Sequence, residues 1–600
     1  MLLRILTIIC VLVAVLTAVI DQSWLMSRRG RGDLAVRILG ITGKRNTSFR
    51  RFQYMPILIT AVIIAIALGI GSGWINAAVY IAGTVVCFGA VMAGTGAIPA
   101  GTTAASGMAA EGDYAGALKA SYRTGAVMGA VISAAGLFLL GAMFVFFKVE
   151  NVIETITCLA LGVSTTAVHL STGGTVYSDA YSLALPDDDF TDITGSFSGT
   201  GADMMESYVL AGAAAIMMAQ NGLDSSGVMS TFNLSSVTKY PLILLAAGIV
   251  ASLIGVMLYR GTSGVNNSRS VSVAAIVSGL LTAAAAIYFS NYYLESAVYG
   301  ISAVCGIAGG LILGEISRIY SYDSRFMMSG TKEDRRLNSH MPLISGLSRG
   351  MISTVLQTAI VLICIFFAAK FSSVYGIALA AVGFCSVTGT LAAANGLSQV
   401  SGSAGEAIRA HGEGADTEAI ADYMDTVSVR TAPAAWTYTN YASALTLIAL
   451  LTAVFYNSGV EQIDLLHSAF IGALFGGAAV PFVLTGIVIY SVRTTALVAF
   501  SKLGRGEDTG SARSLSWSVL PVAIVIVLPA LVALFLGVEC TLGFLIGTVI
   551  TGCMIMPAIC DSGEHFGRTA VRSLGSLIKL MVVLTAAFLP VFSEIGGLFF

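Results

Sequence analysis

Apolar residues recur along this chain in blocks of spanning length, separated by short polar stretches, from one end to the other. A membrane-crossing helix needs about 20 predominantly apolar residues. Sixteen blocks come close to that length: 2–20, 55–71, 75–97, 124–147, 153–174, 200–219, 241–259, 271–290, 294–317, 342–369, 374–398, 433–456, 464–492, 517–536, 539–558 and 573–598. The pattern predicts an all-α polytopic membrane protein of about 16 transmembrane helices, a single helical domain over 1–600 with short cytoplasmic loops. Residues 2–20 share one arginine and an apolar core with signal peptides. Asp21-Gln22-Ser23 is a poor cleavage site, however, so an uncleaved first helix is expected.

The cations orient the helices. Arg28, Arg29, Arg31, Arg37, Lys44, Arg45, Arg50 and Arg51 all fall between the first two blocks. If that loop is cytoplasmic, the inner loops and their edges hold twenty-five Lys and Arg, and the outer loops only Lys148, Lys239 and Lys370. Cytoplasmic loops carry the excess of positive charge, so both termini are expected outside.

Composition agrees: 56% of the 600 residues are hydrophobic, 11% are charged and the mean hydropathy is +0.86. Soluble domains carry roughly 25% charged residues, so the lipid bilayer, in the cell membrane, is the expected surrounding. A net charge of −2 points to no particular partner, and no nucleic-acid partner is expected. The 66 glycines fall with Ala, Ser and Thr inside the blocks, where small residues let helices approach closely. The nine cysteines read as buried thiols, and the five histidines form no cluster.

Four charged residues lie within, or at the edge of, otherwise apolar blocks: Arg123, Asp203, Glu206 and Lys579. A charge at mid-bilayer depth costs about 2.5–3.5 kcal/mol on insertion scales, so its retention points to function. Asp203 and Glu206 stand three apart on one helical face. The four charges sum to zero, as a buried cluster requires if all of them meet. One reading is an ion gate for H⁺ or Na⁺. The other has Arg123 and Lys579 reaching separate interfaces while the acids share a small polar pocket.

Upstream, Pro186 introduces Asp187, Asp188, Asp189 and Asp192. Asp188 and Asp192 have the spacing to hold Mg²⁺ and, through it, a phosphate, with Asp187 and Asp189 beside them; Glu315 joins as support only through the family resemblance described next. The same run also reads as a helix start, with proline in the first turn and acids at the positive end of the dipole. No phosphate-binding loop, nucleophile elbow or zinc motif is present.

At these residues the chain resembles the membrane-bound pyrophosphatases, the pyrophosphate-energised H⁺ and Na⁺ pumps. Ser121-Tyr122-Arg123-Thr124-Gly125-Ala126-Val127-Met128-Gly129 is similar to the family's F-R-[ST]-G-A-V-M-G segment. Gly199 to Tyr208, GTGADMMESY, is similar to G-M-G-A-D-L-F-E-S-Y, and Leu577-Ile578-Lys579-Leu580-Met581 matches L-I-K-L-M. The resemblance implies a sixteen-helix fold, a homodimer, and gate or coupling roles for Arg123, Asp203, Glu206 and Lys579. It leaves open whether the ion is H⁺ or Na⁺.

The hydrolytic motifs fare differently. Where the family has K-A-A-D-V-G-A-D, this chain has Ser178 at the lysine and Tyr181 and Leu185 at the aspartates. Of the D-N-V-G-D-N-V-G-D run, Asp188 and Asp192 remain and Ser196 replaces the third acid. The stretch Gly396 to Gly405 lacks the expected aspartate, and Asp561 to Arg572 is too short for the family's last acidic run. Pyrophosphate hydrolysis needs several Mg²⁺ ions, each with many oxygen ligands, and losing one electrostatic group commonly costs about 10²–10³ in rate. The expectation is therefore an ion-translocating protein with its gate retained, pyrophosphate hydrolysis impaired or absent, and Mg²⁺ at most a remnant ligand. Two alternatives stand beside it. One is an active, divergent pump with a rebuilt site; the other is a non-transporting membrane partner protein.

Overall fold

The computed structural model describes residues 2–30, 32–184, 190–224, 234–261, 267–322, 341–412, 416–460, 464, 466–503, 515–560 and 567–595. Among them the regular structure is helical throughout. In chain order the helices are α1 (Leu2–Arg28), α2 (Asp33–Gly71), α3 (Trp74–Thr95), α4 (Ile98–Ala110), α5 (Tyr114–Phe146), α6 (Val149–Ala184), α7 (Thr194–Asp224) and α8 (Leu234–Leu258). They continue with α9 (Asn267–Leu294), α10 (Val298–Tyr322), α11 (Met341–Cys385), α12 (Thr388–His411), α13 (Thr417–Asn457), α14 (Ser468–Leu503), α15 (Leu515–Cys560) and α16 (Gly567–Ile595).

Thirteen helical segments among the described residues are long and apolar enough to cross a membrane. Backbone polar groups cannot be left unpaired in lipid, so helices carry the crossings. Two of the long helices contain a break: α11 leaves helical geometry at Ser372 and Ser373, and α15 at Gly537, whose φ is 82°. Both breaks fall between adjacent apolar blocks of the sequence. The chain is an integral, multi-pass membrane protein.

Helix ends depart from block ends in an informative way. The cationic stretch 21–54 reads from hydropathy as a loop, yet α1 runs on to Arg28 and α2 begins at Asp33. Likewise α13 starts at Thr417, well ahead of the apolar block at 433. Hydropathy marks where water begins, whereas a helix continues as long as its side chains tolerate helical backbone, and Arg and Lys are good helix formers. The block 374–398 is instead divided, because Ser386 and Val387 separate α11 from α12.

Burial sorts the helices into an enclosed centre and a lipid-facing ring. Nearly every described residue of α7, and of α16 from Ser573 to Thr585, is buried. By contrast α1, α2, α14 and the first part of α11 expose rows of large apolar side chains, among them Leu12, Ile63, Phe366 and Phe475. Glycines seat the inner helices backbone to backbone. A Cβ on Gly129 of α5 would lie 2.7 Å from the carbonyl oxygen of Gly389 in α12, and one on Gly83 of α3 would lie 2.6 Å from that of Leu159 in α6. Gly125 against Gly396, Gly162 against Tyr80 and Gly174 against Gly195 extend the same seams. Such contacts replace the hydrophobic drive that lipid does not supply.

Candidate ion gate

Three of the four sequence-predicted charges converge in the enclosed centre. Asp203, Glu206 and Ser207 follow the i, i+3, i+4 spacing of one face of α7, and that face meets Lys579 of α16. Lys579 Nζ lies 2.5 Å from Asp203 Oδ1 and 3.3 Å from Glu206 Oε2. It also donates to Ser207 Oγ at 2.8 Å and to the Asp203 carbonyl oxygen at 3.4 Å. All of these side chains are buried, Lys579 and Glu206 at 0% exposure.

Serines from three helices complete the shell. Ser576, one turn before Lys579, donates to Asp203 Oδ1 at 3.0 Å. Ser443 of α13 reaches both Asp203 oxygens at 3.4 Å, and Ser164 of α6 donates to Glu206 Oε1. Glu206 Oε2 accepts no hydrogen bond. Two carboxylates against one ammonium carry a formal charge of −1 in an enclosed interior, where an uncompensated charge is costly. A proton or a monovalent cation at Glu206 would balance it.

Arg123 is not part of this cluster. On α5 it faces α1, where its Nε lies 3.5 Å from Asp21 Oδ1 and its guanidinium sits 4.3 Å from the centroid of the Trp24 ring. Glu315 on α10 is held by Arg318 one turn on, at 3.0 and 2.8 Å from Nε and Nη2. Asp187, Asp188 and Asp189 lie outside the described residues.

Where α6 ends and α7 begins, Ser178 and Ser196 join Gln399 of α12 in a neutral network. Ser178 Oγ accepts the Ser196 N–H at 2.9 Å, and Ser196 Oγ donates to Gln399 Oε1 of α12 at 2.8 Å. Gln399 Nε2 reaches Thr200 Oγ1 at 3.4 Å, one turn from Asp203. The backbones of Gly174 and Gly195 close the two helices together beside Ser178. The short segment ahead of α7 is latched from two sides. Arg45 of α2 donates to the Phe190 carbonyl at 2.8 Å, and Glu406 of α12 accepts the Thr191 N–H at 2.8 Å.

Asp192 is buried in this segment and accepts the Thr194 N–H at 2.9 Å, as an acid capping the start of α7. Burial pushes its carboxyl above the ordinary value, and the neighbouring Arg45 and the Thr194 bonds only partly oppose that. Its second oxygen accepts no hydrogen bond. One orphaned oxygen facing an arginine does not fit Mg²⁺, which demands near-octahedral oxygen ligation. Among the described residues no three of His, Cys, Asp or Glu gather into a metal-binding group.

Comparison with known proteins places this arrangement in a family. The family model described as inorganic H⁺ pyrophosphatase matches residues 12–506. The chain belongs to that family. A Clostridium tetani protein described as a putative K⁺-stimulated pyrophosphate-energized sodium pump is 25% identical across 98% of this chain and 97% of its own length. A Thermotoga maritima K⁺-stimulated pyrophosphate-energized sodium pump is 24% identical over 86% of the chain and 84% of its own. A Methanosarcina mazei K⁺-insensitive pyrophosphate-energized proton pump is 23% identical over 85% and 82%. Lys579 falls beyond the matched family segment, but the alignment with the Clostridium tetani pump runs over nearly the whole chain.

The serines of the gate escaped the sequence. Ser576 and Ser207 had a usable signal, since each lies within one turn of a buried charge on the same face. Ser164 and Ser443 had none, because a lone serine in an apolar helix usually bonds its own backbone.

Proposed function

We propose that this chain translocates a monovalent cation, H⁺ or Na⁺, through the Asp203–Glu206–Lys579 gate, with pyrophosphate hydrolysis impaired or absent. The observation that carries the reading is a contrast along α7. The buried triad keeps its charges, its salt bridges and a hydroxyl shell. About two turns nearer the start of α7, Ser196 bonds Ser178 of α6 and Gln399 of α12, side chains that supply no charge to bind a polyanion. A pyrophosphate site needs cationic clamps and several metal-held oxygens, and neutral hydroxyls replace neither.

The gate works by exchange of partners. Lys579 neutralises Asp203 at 2.5 Å and only partly engages Glu206 at 3.3 Å. Glu206 therefore holds the transported ion or proton, and a shift of Lys579 toward Glu206 expels it. Ser207 and Ser576 position the ammonium and the Asp203 carboxylate.

Two assays on purified protein test the reading. Steady phosphate release from pyrophosphate with Mg²⁺ overturns the hydrolytic half. Ion flux and binding in liposomes that are unchanged in Glu206→Gln/Lys579→Met overturn the gate. A second reading, an active divergent pump, draws support from the pyrophosphate-energized pumping ascribed to the three relatives. Phosphate release that disappears in Asp192→Asn establishes it.

A further inference from the structure

Two facing helices gather three cations around one aromatic ring, outside the gate. On α1 Trp24 and Arg28 stand four apart; on α5 Lys119 and Arg123 do the same, so each pair shares a helical face. The two helices pack together. The Arg123 guanidinium lies 4.3 Å from the Trp24 ring centroid, Lys119 Nζ 5.9 Å and the Arg28 guanidinium 6.0 Å. Asp21 offsets one of these charges through its 3.5 Å contact with Arg123. Among the described residues Arg28 and Lys119 form no ion pair, so the cluster of Asp21, Arg28, Lys119 and Arg123 is left at +2.

Cations gathered around one ring repel one another, and the ring face offsets only part of that repulsion. An anion from outside is the missing partner. The ridge on which Trp24 sits says what kind. Leu16, Ile20, Trp24 and Arg28 follow one another at four-residue intervals along α1. Leu16 is 60% exposed, Ile20 55%, and Arg28 is exposed at the helix end. Read along the helix, the order is apolar, apolar, aromatic, cationic, which matches a phospholipid from acyl chain through interface to phosphate.

We propose that Arg28 and Lys119, set by Trp24, bind the phosphate of an anionic phospholipid whose acyl chain lies along Leu16 and Ile20. Near a membrane surface each such cation strengthens binding of an anionic lipid about fivefold. Nanodiscs of phosphatidylcholine alone, or of an equal mixture with phosphatidylglycerol, supply the test. The readout is quenching of Trp24 fluorescence by nitroxide-headgroup phosphatidylglycerol, with Trp24→Phe as the subtraction. Arg28→Gln is expected to weaken the quenching titration about fivefold, and Arg28→Gln/Lys119→Gln about 25-fold. Arg51→Gln, an exposed arginine on α2, is expected to leave it unchanged. Equal quenching by labelled phosphatidylcholine overturns the proposal, as does an unchanged titration in the double variant. Full competition by soluble glycerol 3-phosphate marks a free-phosphate site and overturns the lipid assignment. Arg28 is exposed at a helix end, so the single variant stands as a fold-neutral check should the double variant express poorly.

Discussion

The gate and the Ser178–Ser196–Gln399 network share two helices, α6 and α7, on which they lie a few turns apart, and are built from opposite materials. At the gate, charges are buried at 0–3% side-chain exposure and held by salt bridges at 2.5 and 3.3 Å. In the network the groups are neutral: the Ser196 N–H donates to Ser178, and the Ser196 hydroxyl lies within reach of both Gln399 Oε1 at 2.8 Å and the Ile193 carbonyl at 3.2 Å. A buried ion pair is a poor way to gain stability, since well-packed apolar residues do as well or better. A charge kept where it adds little stability calls for another reason, and the ion-handling role proposed above supplies one. The neutral network needs no such explanation, because satisfied hydrogen bonds are sufficient to hold two helix ends.

Perturbing each side breaks or sharpens that contrast. The largest effect is expected from Lys579→Met, which leaves two carboxylates facing each other without a cation. Removing one partner of a buried pair costs about 3–5 kcal/mol, so the yield of monodisperse protein and its thermal midpoint in detergent should both fall sharply. Next comes Glu206→Gln, which keeps the shape and brings the cluster to neutrality. Charged hydrogen bonds contribute about 1.5–3 kcal/mol, so Na⁺ or H⁺ dependence of the thermal midpoint should weaken by about tenfold or more. Stability that responds to Na⁺ in the variant as in the parent would sink the gate.

On the neutral side, Ser178→Ala leaves the Ser196 N–H without its acceptor. The expected loss is about 1–3 kcal/mol, read as a lower thermal midpoint, with ion dependence intact. A loss of ion dependence would show that the two regions are one device. Asp192→Asn should have the smallest effect. The folded-state carboxyl is raised above 3.8, so the protonated form favours folding. That contribution is present below about 3.8 and lost as pH rises through the higher folded value. Asparagine removes this slope, so stability measured from pH 4 upward should vary less than in the parent, by about 1 kcal/mol or less. A steeper slope in the variant overturns the assignment.

Much of this was legible in the chain. Apolar blocks disclosed the helices because lipid permits no other economical backbone, and charges within them disclosed the gate because they are rare at that depth. Asp203, Glu206 and Lys579 were found in this way. Arg123 was found as a charge, but its partner was not. Asp21 stands at the border of the first block, where an acid has no reason to draw notice, and only the packing of α1 on α5 joins the two. Helix ends were misplaced at α2 and α13 because hydropathy reports the solvent boundary, whereas the breaks at Ser373 and Gly537 fall where the sequence divides adjacent apolar blocks, at 369–374 and 536–539.

The glycine seams also distinguish the helices that meet at the buried cluster. Gly162 against Tyr80 and Gly174 against Gly195 mesh α6 with its neighbours main chain to main chain, and a meshed pair cannot rotate or slide without collision. The helix carrying Lys579 is seated instead by side chains, Leu577, Ile578 and Met581, all fully buried. The acidic face of the cluster therefore rests on main chain against main chain, and its ammonium on side-chain packing, so enlarging a glycine strains the first while trimming a methylene loosens the second.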